Sequence, residues 1–599
     1  MIKVSDYVFN RLAEIGVRHV FLISGGANMH LTDSVGKNKD IKYVCPLHEQ
    51  GVAMAVEGYA RIKNDIAVGL VTSGPSATNA ITGVAGAWID STPCLFISGQ
   101  VNLEDTIRNK PLRQLGLQEI DIINLVKPIT KYAVMIEDPN SIRYHLEKAL
   151  FLAKYRRPGP VWIDIPLDMQ GAIIDEKKLK KFDPKEIEVK VVHDLLRKKV
   201  SEAIDLLKAH KRPVILAGNG IRLAHAEKEF DELVSVLKAP VLTTWGGADL
   251  IPEEHDLYIG RPGLFGQRAA NFAIQNSDLL LCIGTRLSIP QTGYNHRAFA
   301  RMAKVIMVDI CEAELKKERI HVELSINYDA KLFIKEMNRQ LSGNRPAVID
   351  TWIVKCREWK AKFPVLLKEF LEKTSPVDSY VFVDALSDEL DTNDIIVTDM
   401  GTSFTCTFQA FKVKKGQRFF TSSGLASMGF GLPGSIGACF ASDKKRTICI
   451  SGDGGLQMNI QELQLLIYHN LPIKLFVLNN QGYLAVKKHQ DSNFKGHYVG
   501  AGYSSGVSFP DIIKVAKAYG FKVERITNHD ELRLKIRSVL DAEGPVVCEV
   551  VMSDNQVLAP RLASRLKKDG TMEQTPLEEM FPFLEREEFL RNMIIAPLE

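Results

Sequence analysis

The sequence lacks long apolar runs and blocks of one charge. No apolar stretch reaches the roughly 18 residues that a membrane-spanning helix needs, so we expect no membrane segment. The 76 Lys and Arg residues nearly balance the 72 Asp and Glu residues, and the net charge of +4 argues against nucleic acid as a partner. Residues 1–17 form an amphipathic pattern with an acid and no small-residue cleavage site, which is not typical of a signal peptide.

The cysteines form no disulfide or metal-binding pattern. There are nine, an odd number, and no two form a C-x-x-C pair. Cys94, Cys282, Cys449 and Cys548 lie in apolar runs. This distribution predicts reduced thiols in the core of a cytoplasmic protein rather than disulfides or a zinc site.

Apolar strand-like runs alternate with helical patterns along the whole chain. The alternation is typical of α/β folds, and 599 residues are too many for one core, so we expect three doubly wound parallel-sheet domains. The expected boundaries are residues 1–175, 190–345 and 350–560. Residues 175–190, rich in Lys and Glu, indicate a linker, and residues 561–599 indicate a tail that packs on the body.

Two polar turns follow consecutive apolar runs. Asp453 comes after the run at residues 447–450, and Asn480 comes after the run at residues 473–478. A helical pattern over residues 456–468 joins them. Since the carboxyl ends of neighbouring parallel strands meet at one sheet edge, we expect the two side chains to lie together. Carboxylate and amide oxygens suit Mg²⁺ or Ca²⁺ but are poor zinc ligands.

The glycines around Asp453 point to a ligand with phosphate groups. Gly454 and Gly455 would let the backbone approach a ligand closely, and the N-terminus of the following helix favours phosphate. Together the two turns predict a metal-bridged diphosphate. The alternative is a plain turn and a polar strand end. A dinucleotide fingerprint is excluded, because Gly-Asp-Gly-Gly-Leu-Gln lacks the G-x-G-x-x-G spacing.

These turns resemble the metal–diphosphate motif of thiamine diphosphate (ThDP) enzymes, and remote segments agree with it. HEQG at residues 48–51, EGYAR at 57–61, TSGPSATN at 72–79, RPGP at 157–160 and GFGLP at 429–433 resemble the acetolactate synthase group. The resemblance covers nearly the whole chain. It implies a pyrimidine-binding, a central and a diphosphate-binding domain, in that order.

The resemblance implies roles for individual residues. Asp453, Asn480 and the main-chain carbonyl of Gly482 would hold Mg²⁺ or Ca²⁺. Glu49 would hydrogen-bond N1′ of the aminopyrimidine, so that N4′ can remove the thiazolium C2 proton. Met428 would bend the cofactor by lying between its rings. The other implied cofactor or substrate contacts are Pro75, Asn79, Gln118, Ala426, Gly452, Gly454 and Gly455.

Outside the motifs, the same residue types have ordinary explanations. A lone Glu after a strand, such as Glu49, is usually a surface residue, and a Met in an apolar loop, such as Met428, is usually part of the core. His48 either faces the reaction cavity or is structural. In the family the site is built from two subunits, so the resemblance implies a homodimer or tetramer with the active site at the interface.

The central third resembles the flavin-binding domain of FAD-containing family members. Gly218 and Gly220 form a glycine turn after a strand, and Arg286, Asp309 and Asp329 fall where that subgroup contacts FAD. An ADP-type ligand or an empty site are the alternatives. In acetolactate synthases the flavin does no net redox work, so its presence would not imply an oxidase.

Two departures from acetolactate synthase concern the acceptor substrate. Pro290 stands where those enzymes place an Arg that grips the acceptor carboxylate, and proline cannot supply that contact. His489 stands where they place an indole. Other stretches, including residues 507–511 and 575–583, resemble ThDP proteins of surface-polysaccharide and branched-sugar pathways.

The predicted function is therefore a carboligase. It would decarboxylate a 2-keto acid, pyruvate, and transfer the two-carbon unit to a keto acceptor such as a keto-sugar nucleotide. Acetolactate synthase is the first alternative, and a 2-keto acid decarboxylase or C–C lyase the second. A non-catalytic cofactor-binding paralogue is disfavoured, because Glu49, Asp453 and Asn480 are all retained.

Overall fold

Three six-stranded parallel sheets follow one another along the chain in this computed structural model, which describes residues 1–108, 110–189, 191–343, 345–566 and 572–598. The predicted fold class is thereby confirmed. Lys190 and Asn344, at the predicted linker end and central boundary, lie outside the described residues, as do residues 567–571 and 599 of the predicted tail. Within the described ranges, no helix is both long and apolar enough to cross a membrane.

The first sheet has the strand order β3-β2-β4-β5-β7-β6. Strands β1 and β8 pair with each other in a separate two-stranded sheet. Its apolar strands are buried by helices. The strands are β1 (Ile2–Lys3), β2 (His19–Leu22), β3 (Lys42–Val44), β4 (Ala67–Val71), β5 (Cys94–Gln100), β6 (Tyr132–Met135), β7 (Val161–Pro166) and β8 (Ile173–Ile174). The helices are α1 (Val4–Glu14), α2 (Met29–Lys37), α3 (Glu49–Lys63), α4 (Pro75–Asn79), α5 (Ile81–Ile89), α6 (Ile122–Val126), α7 (Ile142–Lys154) and α8 (Leu167–Gly171).

The second sheet has the order β11-β10-β9-β12-β13-β14. Its strands are β9 (Pro213–Ala217), β10 (Val241–Thr243), β11 (Tyr258–Gly260), β12 (Leu279–Ile283), β13 (Lys304–Val308) and β14 (Leu324–Ile326). The helices of this region are α9 (His193–Ala209), α10 (Gly220–Leu223), α11 (Glu227–Leu237), α12 (Arg268–Asn276), α13 (Ile289–Thr292), α14 (Glu312–Leu315), α15 (Ala330–Leu341), α16 (Asp350–Lys362) and α17 (Lys368–Glu372).

The third sheet has the order β16-β15-β17-β18-β20-β19. Its strands are β15 (Ile395–Thr398), β16 (Arg418–Phe420), β17 (Thr447–Gly452), β18 (Ile473–Asn479), β19 (Lys522–Ile526) and β20 (Val546–Val551). The helices are α18 (Ser379–Glu389), α19 (Thr402–Ala410), α20 (Gly431–Ala441), α21 (Asp453–Met458), α22 (Leu463–Tyr468), α23 (Leu484–Phe494), α24 (Ile512–Tyr519) and α25 (Leu532–Asp541).

The C-terminal segment packs on the central region. It contains β21 (Arg561–Leu562), β22 (Ser564–Leu566), β23 (Met572–Gln574), β24 (Met580–Phe581) and α26 (Arg586–Asn592). Asn271 of α12 donates to the carbonyl of Leu577 (2.9 Å), and Arg301 forms an ion pair with the buried Glu578 (2.7 Å).

The prediction of one continuous helix between β17 and β18 is wrong. The pattern over residues 456–468 predicts a single helix, but α21 ends at Met458 and α22 begins at Leu463, with a 3₁₀ turn at Ile460–Glu462 between them. Asn459 leaves the helical conformation (φ −136°, ψ 34°), and its side chain donates to the carbonyl of Gly429 (2.8 Å). The helix is thus interrupted at a residue whose side chain bonds the backbone of a loop 30 residues away in sequence.

The first and third domains meet through two closely packed helices. A Cβ on Gly58 of α3 would lie 2.2 Å from the carbonyl oxygen of Gly434 in α20, and one on Gly437 would lie 1.9 Å from that of Ala55. These contacts require glycine, because any side chain would push the helices apart. Glu49, the first residue of α3, is thus held at a defined place relative to the third sheet.

Candidate functional site

The two predicted strand ends lie side by side. Strand β17 pairs with β18 in parallel, with Gly452 opposite Leu478. Asp453 begins α21 and is 2% exposed. Its Oδ1 accepts from the Gly454 N–H (2.7 Å) and its Oδ2 from the Gly482 N–H (3.2 Å). Burial raises the pKa of the Asp453 carboxyl to about 6, although these backbone donors oppose the effect.

The amide oxygen of Asn480 is buried and has no hydrogen-bond partner among the residues that the structure describes. Such an atom is unusual, and a bound cation is one of its ordinary explanations. A carboxylate, an amide oxygen and a main-chain carbonyl form an oxygen donor set that fits Mg²⁺ or Ca²⁺. Across the described ranges, no cluster of three or more His, Cys, Asp and Glu residues could hold a metal instead.

The glycines near Asp453 divide into two kinds. A Cβ on Gly454 would lie 2.3 Å from the Tyr483 ring, and one on Gly455 would lie 2.8 Å from the Asp399 carboxyl carbon. These two glycines are therefore required by protein packing, a reason that the sequence did not reveal. A Cβ on Gly452 would meet no described atom within 4 Å, so the open space next to Asp453 lies at Gly452.

Glu49 lies at the carboxyl edge of the first sheet, near the predicted residues Asn79 and Pro75. It is half-buried, and Asn79 of α4 donates a hydrogen bond to its Oε2 (3.0 Å). Pro75 begins α4 after Gly74, whose φ is +60°. A Cβ on Gly74 would lie 2.5 Å from the carbonyl oxygen of Gln118, so the Gln118 backbone packs on the turn that leads to Asn79.

His48 has a structural role in the chain. Its Nδ1 accepts from the Gln50 N–H (3.1 Å), which makes His48 the N-cap of α3. The backbone N–H groups of Leu47 and His48 both donate to the buried carboxylate of Glu462 (3.1 Å). Burial raises the pKa of Glu462 to about 7. Sequence reasoning missed Glu462, whose contacts to residues 47 and 48 hold the turn immediately before Glu49.

Met428 and Ala426 lie in the loop of residues 421–429, which we call the Met428 loop. Ala426 is exposed, with φ +61°, and Met428 is half-buried. The buried carboxylate of Asp399 accepts hydrogen bonds from the backbone N–H groups of Gly429 (2.8 Å) and Gly431 (3.2 Å), which holds the C-terminal end of the loop. Sequence reasoning missed Asp399, which no motif brings near Gly429.

A cavity of about 280 Å³ lies at the central domain. Four of the five predicted FAD residues line it, namely Gly220, Arg286, Asp309 and Asp329. Gly218 is not among the lining residues. A Cβ on Gly218 would lie 2.2 Å from the Gly284 carbonyl oxygen, so Gly218 allows two strand ends to pack closely.

The cavity presents both acids and arginines. Burial raises the pKa of Asp309 to about 6. Asp329 caps α15, because its Oδ1 accepts from the N–H groups of Lys331 and Leu332. The arginines that line the cavity come from different domains; they are Arg61, Arg156, Arg157 and Arg286. Cationic and glycine-lined walls fit a ligand with phosphate groups.

The two departures in the sequence lie in different places. Pro290 is in the first turn of α13 and lines the central cavity, and its carbonyl accepts from the Leu264 N–H (2.9 Å). His489 is exposed on α23, which follows the turn that carries Asn480 and Gly482. Proline at position 290 therefore leaves this wall of the cavity without a charged side chain from that residue.

Family comparisons agree with this arrangement of domains. Residues 2–125, 200–337 and 399–550 match the N-terminal TPP binding, central and C-terminal TPP binding domains of thiamine pyrophosphate enzymes. The chain is 31% identical over 572 residues to the acetolactate synthase large subunit of Cyanidium caldarium, covering 93% of this chain and 94% of that protein. It is 32% identical over 575 residues to acetolactate synthase 1, chloroplastic, of Nicotiana tabacum, covering 94% and 83%. For acetolactate synthase 3, chloroplastic, of Brassica napus, identity is 33% over 581 residues, covering 94% and 85%.

Proposed function

Because this chain belongs to the acetolactate synthase family of ThDP-dependent enzymes, we propose that it is a carboligase with an unusual acceptor. It decarboxylates a 2-keto acid, pyruvate, and transfers the two-carbon unit to a keto-sugar nucleotide. The observation that carries the metal assignment is the buried Asp453 carboxylate beside an Asn480 amide oxygen that has no partner in the described part of the chain.

The residues of the third domain support a bound Mg²⁺–diphosphate. Asp453 and Asn480 supply side-chain oxygens and Gly482 a main-chain carbonyl, all at the carboxyl edge of the sheet where ligands collect. The open space at Gly452 leaves room for the phosphates. Bound ThDP supplies the reactive carbon and the electron sink for decarboxylation, while the protein supplies geometry and electrostatics.

The residues of the first domain support the proton chemistry. We assign the Glu49 carboxyl group to proton exchange with the aminopyrimidine, and the Asn79 amide orients that group through Oε2. The Gln118 backbone packs against the turn before α4, and we assign its side chain to the reaction side. Ala426 offers a main-chain carbonyl as a hydrogen-bond acceptor for the cofactor's 4′-amine, and Met428 supplies an apolar surface that sets the shape of the bound cofactor.

A homo-oligomer, a dimer or a tetramer, completes the proposed site. Large apolar side chains next to the site residues are exposed in the single chain: Leu117, beside Gln118, is 87% exposed, Leu47 is 55% exposed and Met458 is 47% exposed. Contiguous exposed apolar surface is typical of protein interfaces. A second copy of the chain covering this face would bring the first-domain residues of the site on one copy close to the third-domain residues on the other. The nine free cysteines support a cytoplasmic location.

The keto-sugar acceptor is proposed from the missing acceptor arginine. Pro290 has no charge with which to bind the carboxylate of a second keto acid, and a bidentate Arg–carboxylate contact is one of the stronger single interactions. His489 is exposed on α23, and its imidazole is smaller than the indole that acetolactate synthases carry at this position. A larger acceptor without a carboxylate at that point fits this arrangement.

With pyruvate alone, the enzyme should therefore form little acetolactate and release acetaldehyde and CO₂ slowly. The measurement incubates the protein with ThDP, Mg²⁺ and labelled pyruvate, with and without a panel of keto-sugar nucleotides, and identifies products by mass. We expect a labelled two-carbon unit on one sugar. Fast, saturable acetolactate formation would instead establish acetolactate synthase activity, and rapid acetaldehyde release with no acceptor product would establish a decarboxylase. A protein that binds ThDP but never consumes pyruvate would be a non-catalytic paralogue.

The central cavity is proposed to bind FAD. Its arginines suit the two phosphates, and Gly220, Asp309 and Asp329 lie around the same space. Protein incubated with FAD and then gel-filtered should retain a flavin absorbance spectrum, and Arg286→Ala should retain less. A colourless wild-type protein, or a displacement of FAD by ADP alone at lower concentration, would favour an ADP-type ligand or an empty site.

A further inference from the structure

A buried charge cluster joins the first domain to the Met428 loop. Arg61 of α3 donates to Glu57 Oε1 through Nε (3.0 Å) and Nη2 (2.7 Å) and to Asp90 Oδ2 through Nη2 (2.5 Å). The side chains are 8% exposed for Arg61, 1% for Glu57 and 4% for Asp90. None of its three residues is assigned to the ThDP or metal chemistry proposed above, although Arg61 and Asp90 also line the central cavity.

Asp90 also contacts the third domain directly. Its Oδ2 accepts from the backbone N–H of Ser423 (2.8 Å), and the Ser423 hydroxyl lies 3.3 Å from the same oxygen. A Cβ on Gly424 would lie 2.5 Å from Asp90 Oδ1 and 2.3 Å from Ile89. Gly424 is thus pressed against Asp90, and a carboxylate-to-backbone bond of this kind is among the stronger hydrogen bonds.

The Met428 loop is consequently held at both ends by buried carboxylates. Asp90 binds Ser423 near its start, and Asp399 binds Gly429 at its end. Between them, the N–H of Ala426 donates to the Ser422 carbonyl (3.0 Å), and this turn places Ala426 in the left-handed region. The middle of the loop carries the two residues assigned to the cofactor.

We propose that Asp90 is a positioning residue: through its bond to Ser423, it sets the placement of Ala426 and Met428, and so controls how readily the bound cofactor loses its C2 proton. This inference rests on the proposed function, because the roles of Ala426 and Met428 do. Asp90 is not among the residues assigned to ThDP, the metal or the substrate; it lines the central cavity, where Arg286 Nη2 lies 4.0 Å from its Oδ1. Displacing a positioned group by about 1 Å can cost about 100-fold in rate, so a change at Asp90 should affect turnover although it lies outside the site.

The test compares Asp90→Asn and Asp90→Ala with the wild-type protein. Arg61 remains paired with Glu57 in both variants, so the buried cation stays compensated and the fold should survive. Asparagine can still accept from the Ser423 N–H, whereas alanine cannot. The matched control is Asp249→Asn, because Asp249 is another buried carboxylate that binds two arginines, Arg222 and Arg418, and a backbone N–H, that of Phe419.

Two measurements decide the inference. In the protein without cofactor, amide hydrogen exchange of residues 423–428 should become faster in Asp90→Ala than in Asp90→Asn and remain at the wild-type rate in Asp249→Asn. With ThDP and Mg²⁺, exchange of the cofactor's C2 proton and turnover should fall about 10- to 100-fold in Asp90→Ala. Affinity for ThDP, measured by calorimetry, should stay at the wild-type value.

Unchanged amide hydrogen exchange of the loop in Asp90→Ala would overturn the inference. It would also be overturned if amide exchange of the loop became faster while the C2 proton of the cofactor still exchanged at the wild-type rate. If Asp249→Asn changed loop amide exchange and turnover as much as Asp90→Ala does, the effect would be a general structural one and the inference would be overturned. A loss of ThDP affinity parallel to the loss of turnover would overturn the inference in the same way. Failure of the wild-type protein to bind ThDP would contradict the proposed function, while the amide exchange would still decide whether Asp90 anchors the loop.

Discussion

Glu49→Gln should lower turnover with pyruvate by ~10²–10⁴-fold, the loss typical of removing a general acid–base group. Glutamine has nearly the same shape, and its carbonyl oxygen can accept the Asn79 hydrogen bond that Glu49 Oε2 accepts now. The substitution therefore removes the exchangeable proton and the charge while it leaves the start of α3 in place. Steady-state kinetics would give the turnover.

Calorimetric titration of ThDP into this variant should show nearly wild-type binding, because the residues proposed to hold the metal and the diphosphate are in the third domain. A suitable control is Glu14→Gln, the same chemical change at an exposed residue of α1 that pairs with Arg11. We expect wild-type turnover from the control. Wild-type turnover from Glu49→Gln would remove Glu49 from the proton chemistry.

Asp453→Ala should abolish Mg²⁺-dependent ThDP binding. Removing even an outer partner of a metal ligand typically weakens binding by about 10- to 100-fold, and Asp453 is proposed as a direct ligand, so we expect a larger loss. Its carboxylate is the only anionic group in the proposed donor set. Titrations of ThDP in the presence and absence of Mg²⁺ would measure the loss.

The variant should remain folded, because burial raises the pKa of the Asp453 carboxyl and makes its charge unfavourable when no cation is bound. Far-ultraviolet circular dichroism would test this. Asp511→Ala is the matched control, since Asp511 is in the same domain and its carboxylate also accepts a backbone hydrogen bond, from Lys514 (3.1 Å). Normal metal-dependent binding by Asp453→Ala would refute the assignment of the metal.

The proposed metal-binding edge could be predicted from local patterns. Apolar runs ending in Asp453 and Asn480 predicted adjacent strand ends, and β17 and β18 are indeed neighbours. This succeeded because consecutive strands joined by one helix usually pair in parallel, so a short stretch of sequence contains the whole unit. The helix between them was predicted as continuous, but it breaks at Asn459, whose side chain bonds Gly429, 30 residues away in sequence.

The supporting carboxylates could not be predicted in this way. Glu462 binds Leu47 across 415 residues, and Asp90 binds Ser423 across 333 residues. No periodicity or turn pattern relates positions so far apart. In the sequence, Glu462 and Asp90 each resemble the acidic residues that commonly occur within helices or at their ends.

Sequence alone determined the α/β class, the order of the three sheets and the oxygen-rich chemistry at Asp453 and Asn480, because strand periodicity and side-chain chemistry are local properties. Only the tertiary structure decided why particular glycines and acids are needed. A side chain at Gly454 would collide with the Tyr483 ring, and one at Gly218 would collide with the Gly284 backbone. Asp90 accepts a hydrogen bond from a loop of another domain. Steric exclusion and buried hydrogen bonds act between groups that only folding brings within a few ångströms.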